Sequence, residues 1–342
     1  MSAPFLFADV DGFVLDAEDR DVLAHPYVAG VTLFARNYHC VEQLRALTRS
    51  IHAVKPDLLI AVDHEGGRVQ RFINEFTLLP PAGTIGALFA EDENAGRDLA
   101  EAVGLVMAAE LRAAGIDLCF APVVDVRRAD SAVIGQRALS RNPSEVARLA
   151  EALVAGMERG GLPGIGKHFP GHGGVSADSH LELPHDGRAW PELLDELHPY
   201  RHLSKVLSGV MTAHVVFDAV DPSPATFSAR WLRTVLRDQL RFAGAVFSDD
   251  LSMVGAHGRG TVAERVRLAL ASGCDLALVC NDRAATVRML DDPCMSPVTR
   301  LSALPSLQRA DPKAVETGAY NGARRTVMAF NATLPTTNPG SG

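Results

Sequence analysis

The chain lacks what a nucleic-acid partner would require. Across its 342 residues acidic side chains outnumber basic ones, 41 against 33, for a formal net charge of −8. Phosphate-tracking surfaces concentrate Lys and Arg, and no basic run occurs here. Residues 1–11 carry no Lys or Arg ahead of their short apolar stretch, and Asp9 interrupts it. A secretory signal needs a basic start and a longer apolar core, so none is expected. No apolar segment approaches the roughly 20 residues that span a bilayer. The five cysteines (Cys40, Cys119, Cys274, Cys280, Cys294) are odd in number, scattered and without a C-x-x-C pair. Three lie in or beside apolar strand-like runs, as reduced, buried thiols do. These absences lead to the expectation of a cytoplasmic protein with no nucleic-acid or membrane partner.

What the sequence does hold is apolar material, 47% of its residues, ample for a large core. Length alone allows two small domains or one large barrel. Short apolar runs at 5–8, 30–34, 58–62, 117–121, 164–168, 210–214, 243–248 and 275–279 read as strands. Between most of them lie segments of helical periodicity, at 41–54, 95–114, 144–159, 191–207, 229–240 and 262–271. Proline and an acid open two of these, at Pro143-Ser144-Glu145 and Trp190-Pro191-Glu192, as helix starts favour. Eight strands alternating with helices predict an α/β fold, a single (β/α)8 TIM-type barrel, with a doubly wound open sheet as runner-up. Residues 1–330 are expected to form one catalytic domain. Residues 331–342, rich in Thr, Pro, Gly and Asn, are expected to be a disordered tail.

At or just beyond the strand ends stand Asp9, Arg36-Asn37, Asp63, Asp125, Lys167-His168, His214, Asp249 and Asn281. Barrel enzymes gather their chemistry at that face. The densest segment is Lys167-His-Phe-Pro-Gly-His-Gly-Gly-Val-Ser-Ala-Asp-Ser-His180, a glycine-rich loop leaving the fifth strand. Asp178 and His180 are two residues apart, so the carboxylate can accept from the imidazole and make it a proton shuttle near neutral pH. An accidental surface loop is the bland alternative. A sharper rival is a metal site from His168, His172, Asp178 and His180, although no helical H-E-x-x-H pair exists and Lys167 would sit beside the cation. Gly161-Leu-Pro-Gly-Ile-Gly-Lys167-His168 approaches a phosphate-binding loop but has His168 at the Ser/Thr position and Pro170-Gly171 where a helix should begin. Two more segments carry chemistry. Ala245-Val-Phe-Ser-Asp249-Asp250 delivers adjacent carboxylates at the end of an apolar strand, where alternation lets one face the pocket and leaves the other for capping or pairing. Asp63-His-Glu-Gly-Gly-Arg68-Val-Gln-Arg71, joined by Arg137, offers an acid and rigid donor forks for a multi-hydroxyl ligand. Structural ion pairs are the alternative for these arginines.

At these segments the chain resembles family 3 glycoside hydrolases, and among them the single-domain bacterial β-N-acetylglucosaminidases of peptidoglycan recycling. The resemblance runs from about Asp9 to Asn281. It is carried by Leu33-Phe-Ala-Arg-Asn37, Val62-Asp-His-Glu-Gly-Gly-Arg-Val-Gln-Arg71, Lys167-His-Phe-Pro-Gly-His-Gly173, Ala177-Asp-Ser-His180, Ala213-His214 and Phe247-Ser-Asp-Asp-Leu-Ser-Met253. It implies that Asp249 is the nucleophile and His180 the acid/base, with Asp178 as its partner. It further implies that Asp63, Arg71, Arg137, Lys167 and His168 bind the terminal sugar, and His214 is added to that set. Two positions depart from the family pattern: His64, where Gln is commoner, and Leu139, near which an aromatic is usual.

The activity so implied is retaining removal of terminal N-acetylglucosamine from muropeptide fragments, by a monomer acting on a small sugar substrate without cofactor or metal. A metal-dependent barrel hydrolase, a glycosidase of other sugar specificity and a non-catalytic sugar-binding protein are the alternatives.

Overall fold

The computed structural model describes residues 4–128, 131, 133–176, 182–295, 307 and 316–335. Eight parallel strands form its centre: β1 Leu6–Asp9, β2 Val28–Leu33, β3 Leu59–Val62, β4 Leu118–Cys119, β5 Ile165–Phe169, β6 Gly209–Thr212, β7 Ala245–Asp250 and β8 Leu276–Leu278. Their order in the sheet is β4-β3-β2-β1-β8-β7-β6-β5. The two ends meet just past β4, where Val123 bridges Lys167 in parallel. There Ile165 N donates to Ala121 O at 2.7 Å and Val124 N to Lys167 O at 2.8 Å. The sheet is a (β/α)8 barrel, and each of the eight expected strands falls on one of its staves.

The strands are apolar on both faces because both are covered. Phe7, Ala61, Ile165, Phe247 and Leu276 point into the barrel with Leu118, Phe120 and Met211. Their neighbours Leu6, Ala8, Val62 and Val246 point out against the helices. Inside, Phe7, Phe120 and Phe247 pack edge to face, with centroids 5.5, 5.6 and 6.5 Å apart. That geometry suits the aromatic quadrupoles and plugs the barrel.

Around the strands lie α1 Ala17–Ala24, α2 Val41–Val54, α3 Ala82–Glu91, α4 Glu93–Ala113, α5 Pro143–Arg159, α6 Trp190–His202, α7 Arg230–Gln239 (wound as a π-helix), α8 Val262–Ser272, α9 Arg283–Leu290 and α10 Thr317–Asn331. The α5 start is set by Asn142, whose side chain accepts from Ser144 N at 2.9 Å, with Pro143 in the first turn. Helices α4 and α5 touch backbone to backbone. A Cβ on Gly104 would lie 2.0 Å from Leu153 O, and one on Gly156 2.0 Å from Glu101 O. Helix α6 stops at His202, short of the expected 207, and the chain turns with Leu203 N bonded to Pro199 O. Helix α10 docks on α4 by Tyr320 Oη donating to Glu110 Oε1 at 2.8 Å. No helix among the described residues is long and apolar enough to cross a membrane. Within the expected tail, 336–342 lie outside the described residues.

Candidate active site

The C-terminal ends of the strands open into a cavity of about 500 Å³, within the usual range for small-molecule sites. Phe120, Met211 and Leu278, the top of the barrel's interior packing, form its apolar floor. Alternation along the strands then sets which polar groups look inward. From inward Ala61 the phase reaches Asp63 and Glu65; from Ile165 it reaches Lys167; from Phe247 it reaches Asp249. All four polar residues line the cavity, with Arg68, Arg71, Arg137, His168, His172 and Asn281.

Lys167 is the pivot. Its side chain is 2% exposed, and Nζ lies 2.6 Å from both Asp63 Oδ1 and Glu65 Oε1. Burial works against its charge, but the two carboxylates outweigh burial and raise its pKa. Burial likewise opposes the Asp63 carboxylate, and Lys167 and Arg71 overcome it, so that pKa is lowered. The Glu65 carboxyl is driven far down against the same burial by Lys167 and Arg137. These groups remain ionised across the physiological range and present fixed charge to a ligand.

His168 is oriented from behind by Asp125, which is fully buried. Asp125 Oδ2 lies 2.7 Å from His168 Nδ1, and Oδ1 accepts from the main-chain N–H of His168 and His172 at 3.2 and 2.7 Å. His168 Nε2 is left facing Arg137, 3.5 Å from Nη2. Arg71 Nη2 lies 3.6 Å from Asp63 Oδ2. At the mouth, Arg36 donates to Asp9 Oδ2 at 2.5 Å and to Asn281 Oδ1 at 2.8 Å, and Asn281 N reaches the same Asp9 oxygen at 2.8 Å. Asn37 is structural: its amide serves the carbonyls of Val10 and Gly12 at 2.9 and 3.0 Å.

Asp249 stands on the inward phase of β7, and its Oδ1 accepts from Asp250 N at 2.8 Å. Asp250, which also lines the cavity, ties the strand end down. Its Oδ1 accepts from Ser252 N at 2.9 Å and Cys280 N at 3.1 Å. Burial pushes its carboxyl pKa up to about 6.

Six expected site residues meet here: Asp249, Asp63, Arg71, Arg137, Lys167 and His168. His214 does not join them. It is fully buried behind the wall, with Nε2 3.0 Å from Asp250 O and Nδ1 3.0 Å from Thr226 Oγ1. His214 lies two residues beyond the end of β6 at Thr212, where its ring stacks on Phe227 instead of entering the cavity. Asp178 and His180 lie outside the described residues. Glu65 and Asp125 do more than the motif reading gave them. Counting by twos from Ala61 would have flagged Glu65; nothing in the spacing links Asp125 to His168. Among the described residues no group of three or more His, Cys, Asp and Glu is arranged to hold a metal ion.

The glycosyl hydrolase family 3 N-terminal domain matches residues 9–297. A β-hexosaminidase of Thioalkalivibrio sulfidiphilus is 49% identical over 293 residues, 85% of this chain and 84% of that protein. One of Tolumonas auensis is 47% identical over 330 residues, 95% of this chain and 97% of its own. The crystal structure of NagZ from Neisseria gonorrhoeae in complex with N-trifluoroacetyl-D-glucosamine is similar throughout. It superimposes with a TM-score of 0.90 at 41% identity, over 96% of this chain and 98% of that one. The inward carboxylates, the Lys167-His168 pair and the barrel that carries them therefore belong to a member of glycosyl hydrolase family 3, a glycoside hydrolase of the β-hexosaminidase kind.

Proposed function

We propose that this enzyme is a cytoplasmic, retaining exo-β-N-acetylglucosaminidase that cleaves GlcNAc-β-1,4-anhydroMurNAc and its peptides through a covalent glycosyl-Asp249 intermediate. The observation that carries this reading is the inward carboxylate of Asp249 in a cavity otherwise walled by paired charges. Asp63 and Glu65 are neutralised by Lys167, Arg71 and Arg137, which suits them to hold sugar hydroxyls rather than attack carbon.

In the first step an Asp249 oxygen bonds to the anomeric carbon as its bond to the leaving oxygen breaks. His180 gives that oxygen its proton. In the second step His180 takes a proton from water, the water oxygen bonds to the same carbon, and the Asp249 carboxylate departs. Histidine changes protonation near neutral pH without the raised pKa that a carboxylic acid in this role requires. Asp178 supports that role by orienting the ring. Asp63, Lys167, Arg71 and His168 hold the terminal residue, and Arg137 acts through Glu65. These polar groups are enough to hold one sugar ring, which favours an exo-acting enzyme taking one residue at a time. The five free cysteines suit a reducing compartment.

The test combines a 5-fluoro N-acetylglucosaminyl fluoride with purified anhydromuropeptide. The reading expects a covalent label on Asp249, and faster cleavage of the aryl β-N-acetylglucosaminide than of the glucoside or xyloside. It also expects release of N-acetylglucosamine from the muropeptide. A label on Asp250 would overturn the mechanism, and an uncut muropeptide would overturn the substrate.

A further inference from the structure

The Asp249 carboxylate is aimed by the main chain of its neighbour. Asp250 N donates to Asp249 Oδ1 at 2.8 Å, so the direction of that carboxylate follows the backbone of Asp250. Asp250 is fixed on two other sides. Its own Oδ1 is held by Ser252 N and Cys280 N at 2.9 and 3.1 Å. Its carbonyl oxygen lies 3.0 Å from His214 Nε2. A carbonyl can only accept, so Nε2 carries a proton whatever the charge of the ring. Nδ1 meets Thr226 Oγ1 at 3.0 Å, and that hydroxyl lies 2.8 Å from Thr212 Oγ1 and 3.1 Å from Ala213 O. The His214 ring stacks on Phe227 at 6.0 Å with an interplanar angle of 17°. His214, Thr212 and Thr226 are all fully buried, and none lines the cavity.

The His214–Asp250 contact is not part of the strand ladder, because the pairing of β6 with β7 runs only from Gly209–Ala245 to Met211–Phe247. A buried imidazole braced by the Thr226 hydroxyl ends instead on the main chain of the residue that points the carboxylate. We infer that His214 is a positioning residue: braced by Thr226, it fixes Asp250, whose N–H sets the attack angle of Asp249. The inference rests on Asp249 as the nucleophile. It moves His214 from the sugar-binding set to the support of the reacting carboxylate.

Four variants test it, read by steady-state hydrolysis of an aryl β-N-acetylglucosaminide, N-acetylglucosamine affinity and thermal melting. Thr226→Val keeps the shape and removes the brace. His214→Asn keeps a polar group near Thr226 but cannot reach the Asp250 carbonyl. Both should lower kcat by about 10- to 100-fold, the scale of a sub-ångström misplacement, with KM and product affinity within about twofold of wild type. Thr226→Ser and His214→Gln, whose Nε2 reaches the place of the imidazole nitrogen, should recover most of that loss. A purely structural role would lower the melting temperature without this split between kcat and KM. The inference is overturned if Thr226→Val and His214→Asn keep kcat within about twofold of wild type. It is equally overturned if product affinity falls in step with kcat, which would return His214 to sugar binding. Should His214→Asn not fold, the Thr226 pair decides alone. The fluorosugar label separates the two readings. A label away from Asp249 removes the nucleophile, whereas wild-type labelling rates at Asp249 in Thr226→Val remove only the positioning role.

Discussion

Arg137 grips Glu65 with two parallel hydrogen bonds of 2.8 Å, Nε to Oε2 and Nη2 to Oε1. The fork is spent on a protein carboxylate, and Glu65 is in turn 2.6 Å from Lys167. Glu65 thus neutralises two largely buried cations at once, and its removal leaves Arg137 without its paired carboxylate and Lys167 with Asp63 alone. Taking one partner from a buried ion pair usually costs about 3–5 kcal/mol, because the remaining charge stays desolvated. Glu65→Ala should lose stability on that scale in urea unfolding, and KM should rise as Lys167 shifts toward Asp63. Glu65→Gln, which keeps the shape, should lose less. An alanine variant within about 1 kcal/mol of wild type would show that the cluster relaxes freely.

Asp249→Ala should lower kcat by about 10⁴ or more, as removal of a covalent nucleophile does, while N-acetylglucosamine affinity stays close to wild type. The truncated side chain leaves room on the face from which the anomeric carbon is attacked. A small anion such as azide should therefore restore turnover of an aryl glycoside with a good leaving group, giving the α-glycosyl azide. A β-configured product would mean that the attacking group stands on the other face and is not Asp249.

His180→Ala should slow turnover by about 10²–10⁴, the usual contribution of a general acid/base. The effect should depend on the leaving group. A nitrophenolate departs with little protonation, so its glycosylation step should fall less than that of an alkyl glycoside or a disaccharide. Asp178→Ala should repeat the pattern more mildly. Equal losses for good and poor leaving groups would assign His180 to binding instead.

Why some of this was visible in the sequence follows from what each element demands of its residues. The barrel staves are apolar on both faces, so each appears as a short unbroken run between helical segments. Helices α1 and α9, eight residues each, are too short for a hydrophobic period to declare itself. Asp63, Lys167 and Asp249 stood out because they end such runs in the inward phase. Glu65 shares that phase but lies beyond the end of β3, and His214 lies beyond the end of β6, behind the cavity wall. Strand-end position alone ranked those two in reverse. The Asp125–His168 contact joins residues 43 apart across the barrel closure, a proximity that only the folded sheet creates.

His64 lies between Asp63 and Glu65 but points away from the cavity. Its ring sits against Phe72 and Phe76, with centroids 5.8 and 5.6 Å away. The side chain is fully buried, and Nδ1 has no hydrogen-bond partner among the described residues. Burial first, and the charge of Arg71 second, depress its pKa from 6.5 to about 3. Between those values the unfolded chain binds a proton that the folded chain refuses, so this residue costs stability as pH falls through that window. The slope is about 1.4 kcal/mol per pH unit at its steepest. His64→Gln, which installs the residue that the family pattern more often shows, removes the titration while leaving every other ionisable group in place. Urea unfolding at pH 7.5 and 4.5 should then show the wild type losing about 2–3 kcal/mol more than the variant. The other acids and bases cancel in that difference. Parallel losses in the two proteins would mean that His64 takes its proton in the folded state, through water reaching Nδ1 or a shift of the Phe72–Phe76 pair.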